Sequence, residues 1–242
     1  MRIFIITLLL FSQSTFAQSI DTLHVGKSFG DFDKLSYESY PFTVYSEKNG
    51  KRGPEISFIS ATSEEMMNGK RVIAITHTWS GNNFNGSFLA LVKHGTFEPI
   101  IQIRNTEGKK EAYSFFPDKI TGLDSASNNA AADYRKELPH PVFNFEIDIE
   151  TYAILSMKEG AVFAIPFFHA GSAYSPPAYY KMIVERKEEL EINGLGKKMC
   201  WVLFIDYAGK QPTRFWYTID ERKFVKMEGE YNGLQIHKIR KF

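Results

Sequence analysis

The run MCWVLFIDYAGKQPTRFWYTIDERKFVKMEG, Met199 to Gly229, decides the fold class. Val, Ile, Phe, Tyr and Trp dominate it. Ala208-Gly209-Lys210-Gln211-Pro212 and Asp220-Glu221 interrupt it, which is strand-and-turn chemistry rather than helix chemistry. Three successive strands are predicted: Met199–Tyr207, Thr213–Ile219 and Lys223–Glu228. In the first, Met199, Trp201, Leu203, Ile205 and Tyr207 share one face, and Cys200, Val202 and Phe204 share the other. A strand apolar on both faces must be covered on both, so this one is expected to be central, with something packed over it.

The same pattern extends outward in both directions. Toward the C-terminus, Asn232-Gly233 is a primed-turn pair before a last strand at Leu234–Ile239. Toward the N-terminus lie Leu190–Ile192, Tyr179–Glu188 and Ala161–Phe168, with Glu188-Glu189 read as a bulge or a hairpin. Before them, Asp148 is expected to N-cap a short helix running to about Lys158, with Gly160 suited to its C-terminal cap. Pro117–Pro141 breaks the rhythm and reads as a flexible or partly helical excursion. Further back, strands are predicted at Phe42–Ser46, Ile56–Thr62, Arg71–Trp79, Ser87–Lys93, Phe97–Arg104 and Glu111–Phe116, with a tight primed turn at Asn68-Gly69. Short turns make sequential strands antiparallel neighbours. The expected fold is mainly β: one curved antiparallel sheet, an open half-barrel of about ten or eleven strands. The short mid-chain helix packs in or over its concave face.

Residues 1–17 read as a signal peptide. Met1-Arg2 gives a positive start, Ile3–Phe11 is apolar, and Thr15 and Ala17 occupy the small-residue positions of a cleavage site. The apolar run falls short of the roughly 20 residues of a spanning helix, and no later stretch approaches one. Export to the periplasm or cell envelope is therefore expected, with residues 18–242 forming a single domain. Loss of Arg2 leaves 28 Lys and Arg against 28 Asp and Glu, a neutral balance that argues against nucleic acid as a partner. Cys200 is the single cysteine, so the chain makes no intramolecular disulfide and must be held by its core.

No catalytic, metal-binding or cofactor-binding set emerges. The six histidines lack the close spacings of a metal site, though His77 and His94 lie on adjacent predicted strands. Cys200, between Met199 and Trp201, has no base nearby in sequence and reads as a small buried hydrophobe. Gly194-Leu195-Gly196-Lys197 lacks the glycine spacing and the Ser/Thr of a phosphate loop and reads as a hairpin tip. Gly171-Ser172-Ala173 is only part of a nucleophile elbow. Glu146, Asp148 and Glu150 suggest either a Ca²⁺ site or acids at the favourable end of a helix dipole. What stands out is an aromatic surplus: Trp79, Phe163, Phe167, Trp201 and Trp216 on predicted strands, with Tyr207, Tyr217 and Phe168 beside them. Two readings stay open, a large sheet's core or a concave aromatic face that holds an apolar ligand.

Three segments of the second half carry a resemblance: ETYAILSMKEGAVFAIPFF (150–168), MIVERKEELEINGLGKKMCWVLFIDY (182–207) and PTRFWYTIDERKFVKMEGEY (212–231). Over Phe115 to Phe242 the chain resembles a family of exported bacterial proteins of unknown function. That family is related in fold to the carrier and receptor of lipoprotein localisation (LolA/LolB-like). The resemblance implies an open, strongly curved half-barrel plugged by helix, whose hollow accepts acyl chains in the carriers; no ligand-contacting residue carries over. The expected function is a non-enzymatic envelope protein binding a lipid, acyl chain or other apolar molecule. The alternatives are a structural module with a filled core that docks an envelope protein, and a hydrolase of envelope polymers.

Overall fold

The computed structural model describes residues 19–81, 84–171, 176–209 and 211–242. The signal-peptide expectation lies outside the described residues, and so do Ser172 and Ala173 of the partial elbow pattern. In chain order come β1 (Ile20–Thr22), β2 (Ser39–Lys48), β3 (Lys51–Arg52), β4 (Ile56–Met67), β5 (Lys70–Ser80) and β6 (Gly86–Lys93). Then follow β7 (Pro99–Thr106), β8 (Lys109–Phe115), β9 (Lys119–Gly122), β10 (Arg135–Glu137), β11 (Phe143–Asn144) and α1 (Asp148–Ala153). The chain ends with β12 (Val162–Phe168), β13 (Ala178–Ile192), β14 (Gly196–Asp206), β15 (Pro212–Thr218), β16 (Phe224–Tyr231) and β17 (Leu234–Arg240).

All 17 strands of the described residues belong to one sheet. Two antiparallel meanders, β4 to β9 and β12 to β17, are joined where β17 pairs with β2, His237 opposite Tyr45. The sheet is not closed into a barrel. Two expectations need correction. The count exceeds ten or eleven because the long strands alone number twelve and five strands of two to four residues join them. The sheet is also mixed, because β1 and β11 both run parallel to β12.

Side chains from both meanders meet in one core, Ile73 and Ile75 with Leu203, Ile205 and Phe215, so the sheet curls around it. Helix α1 sits inside that curl with all six of its residues buried. It is shorter than the pattern suggested. Asp148 lies within the helix rather than capping it, and Asn144 caps a preceding 3-10 turn, Phe145–Ile147. Gly160 therefore caps no helix and instead leads the chain into β12. The leading segment crosses one end of the curl, burying Leu23 and Leu35, and Asp31 N–H donates to the Ile154 carbonyl at 2.6 Å.

Strand β14 is covered on both faces, as its composition demands. Trp201, Leu203 and Ile205 enter the main core. Cys200 and Val202 form a smaller convex cluster with Ile192, Trp216 and Val225, capped by Leu190 and Leu195. The excursion after Pro117 is not helical. It contributes β9 and β10 and packs Ala131 and Val142 against Tyr113, Phe115 and Phe168. Asn129 ties it down, its Oδ1 accepting from Ala112 N–H and its Nδ2 donating to the Ala112 carbonyl, each at 2.9 Å. The irregularity of β13 is a bulge between Val184 and Arg186, not a break at Glu188. The extra residue, Glu185, meets Arg214 in a two-pronged contact of 2.8 and 3.0 Å.

Candidate functional site

With one end of the curl closed by the leading segment, the open space lies at the other. There the ends of β5 and β7 and the starts of β4 and β6 surround the first turn of α1. A cavity of about 410 Å³ lies between them. Its wall is aromatic: Phe42, Phe58, Trp79, Phe84, Phe88 and Phe145. The rings are in contact, Phe58 4.8 Å from Phe42 and 5.8 Å from Trp79, and Trp79 5.9 Å from Phe84. Gly86 has a steric reason, since a Cβ there would run into the Trp79 indole. A second space of about 270 Å³ adjoins the first, sharing Phe145, Asp148 and Lys238.

The floor is polar and comes from the turn before α1 and from α1 itself. The three alternating acids diverge instead of converging. Glu146 Oε1 accepts from Arg104 on β7 and lies 2.8 Å from His169 Nε2. Asp148 Oδ2 accepts from the Tyr207 hydroxyl at 3.2 Å, and its Oδ1 from Ile149 N–H at 2.8 Å. Glu150 Oε1 accepts from Ser60 at 3.2 Å. His77 Nε2 stands 3.7 Å from the same oxygen, beyond hydrogen-bond distance. Because the Ser60 hydroxyl donates to a carboxylate and not to an imidazole, this trio lacks nucleophile–base geometry. Among the described residues no three His, Cys, Asp or Glu side chains group to hold a metal ion. His94 is separate from His77, 3.6 Å from Glu64.

These partners set the charges. Burial would raise Glu146, but the His169 contact and the Arg104 charge outweigh it and hold the carboxyl at about 2. At Asp148 burial prevails over its partners. Burial pushes it up to about 6, with Lys238 pulling down and Glu150 pushing up. Glu150 is held below the ordinary range, His77 and Ser60 offsetting its burial.

Of the five aromatic residues expected on the concave face, Trp79 alone lines this cavity. Phe163, Phe167 and Trp201 are buried in the core beneath. Trp216 lies in the convex cluster, between the inward-facing Phe215 and Tyr217. The sequence reading missed Phe42, Phe58, Phe84, Phe88 and Phe145, and also Arg104 and Lys238. A signal for the last existed: Ile236, Lys238 and Arg240 alternate onto the inward side of β17, which sets cations on a core face. Cys200 is buried, and its burial pushes the thiol up to about 11, away from reactivity. The Gly194–Lys197 stretch is the β13–β14 hairpin tip, with Gly194 and Gly196 at positive φ.

No curated protein matches the chain. Among solved structures, it is similar to the crystal structure of a beta-barrel-like protein of domain of unknown function DUF1849 from Brucella abortus. The TM-score is 0.50 at 7% identity, over 84% of this chain and 96% of that one, a likeness of fold alone. Among the described residues no helix is long and apolar enough to cross a membrane. Residues 41–234 match the family described as protein of unknown function (DUF3108), and the chain belongs to that family.

Proposed function

We propose that this chain is an exported, non-enzymatic envelope protein that binds an apolar molecule, a lipid or acyl chain, in the open end of its curled sheet. The single observation that carries this is the aromatic-walled cavity of about 410 Å³, within the size range of small-ligand sites. Export rests on the character of residues 1–17, and the kinship to lipoprotein-localisation carriers on the sequence resemblance. The hollow differs from an empty half-barrel. Tyr152, Ile154, Phe167 and their neighbours fill it, so ligand space is confined to the mouth.

Native mass spectrometry of the chain purified gently from envelopes tests the proposal, together with uptake of the neutral fluorophore N-phenyl-1-naphthylamine. A co-purifying apolar species and saturable uptake are expected. Trp79→Ala should weaken uptake by about tenfold, the loss of one aromatic contact surface, while Trp216→Phe on the convex side leaves it unchanged. A second reading, a protein-docking module, is favoured by the convex groove where Ile239 and Phe242 remain 39% and 38% exposed. Absence of any bound species or uptake, with one envelope protein captured by crosslinkers on β17, would decide for it.

A further inference from the structure

At the mouth cavity the two acids of the lining, Glu146 and Asp148, already accept hydrogen bonds, while several donors have no partner; Glu150, behind the lining, keeps its Oε2 unpaired. Both oxygens of Asp148 accept, one from Ile149 N–H and one from Tyr207, and Glu146 Oε1 takes Arg104 and His169. By contrast, the buried Nε of Arg104 and the buried indole N–H of Trp79 have no partner among the described residues. The Lys238 ammonium makes no hydrogen bond among the described residues and interacts with Asp148 through charge alone. Two residues along β17, Arg240 also faces inward but is secured, 2.8 Å from Glu38. Lys238 borders both cavities and, among the described residues, makes no ion pair or hydrogen bond with a carboxylate. A buried donor left unpaired costs stability, and the half-buried Lys238 is a cation without a hydrogen-bond partner beside an apolar wall, so the site is short of acceptors.

We infer that the mouth receives a single-chain amphiphile with an oxyanion head, of the class of a long-chain carboxylate, its head held by Lys238 and Arg104 and its tail laid along Phe58, Trp79 and Phe84. The inference rests on the apolar-ligand reading above and adds the chemistry of the head. Limited volume favours one chain over two. Donors without acceptors favour an anion over an alcohol or an ammonium.

The test compares three ligands of one chain length, dodecanoate, dodecanol and dodecyltrimethylammonium, each displacing N-phenyl-1-naphthylamine from the full chain at low ionic strength. Dodecanoate is expected to compete at least about tenfold better than either of the others, a difference of about 1.4 kcal/mol. Lys238→Ala should remove that preference while leaving dodecanol unchanged, and Lys238→Arg should keep it. Equal competition by all three, unaffected at Lys238, would overturn the headgroup inference and leave the apolar pocket intact. A preference for the ammonium would overturn it in the opposite sense. If the fluorophore itself is not taken up, the pocket reading fails and the inference goes with it.

Discussion

Asp148 is the residue whose environment departs furthest from what its neighbours in sequence suggest. It stands on a buried helical turn, facing Tyr207, with Lys238 and Glu150 as the charges that act on it most strongly. Its pKa is raised to about 6 from an ordinary value of 3.8, so between those values the folded state binds more protons than the unfolded state. Stability from this group therefore rises as pH falls from about 6 to about 4, and its charge costs stability above 6. Asp148→Asn is expected to be more stable than the parent by about 1 kcal/mol at pH 7.5, after allowance for one lost acceptor, with the advantage gone by pH 4. Urea unfolding at the two pH values measures this, and a pH-independent difference would mean the carboxyl is not desolvated. Glu146 works with the opposite sign. Its depressed value stabilises the fold above about 4.5, a contribution lost as pH falls toward about 2. None of this was legible from the sequence, where Glu146, Asp148 and Glu150 read as one acidic cluster. The partners that separate them, Arg104, Tyr207, His77 and Ser60, are distant in the chain.

At the scale of elements, alternation and turn chemistry carried the reading a long way. The twelve long strands were legible because Val, Ile and aromatic runs end at Gly, Asn and Asp. Asn68-Gly69 and Asn232-Gly233 adopt the paired positive φ that primed turns require. The five short strands escaped because two to four residues carry no periodicity. The helix was over-extended because Ile154, Leu155 and Met157 keep the sequence apolar past Ala153, and the chain buries them in irregular structure instead. That contact has a sharp test. Gly30 has φ +65° and lies so close to Ile154 that a Cβ would meet its carbonyl oxygen. Gly30→Ala is expected to destabilise the chain by at least about 2 kcal/mol, read as a lowered urea midpoint. An unchanged midpoint would show that the leading segment does not seat on the end of α1.

For the whole molecule, the decisive pairing is the one that no local pattern announces. Strand β17 closes against β2, setting Tyr45 and His237 face to face with ring centroids 4.7 Å apart and joining the two meanders into one curled sheet. That join brings Lys238 opposite Val44 and over the start of α1, and so makes the mouth a site with both an aromatic wall and a cation. An antiparallel meander was legible in the sequence, but which aromatics face the open end was not. Trp216 and Phe163 satisfy the same alternation as Trp79 yet end up in a convex cluster and a sealed core. The most direct measurement is a crystal structure of the chain grown with dodecanoate. The expected result is continuous ligand density along Phe58, Trp79 and Phe84 with its carboxylate at Lys238; density confined to the convex groove beside Phe242, or an unliganded mouth at saturating dodecanoate, would contradict the account.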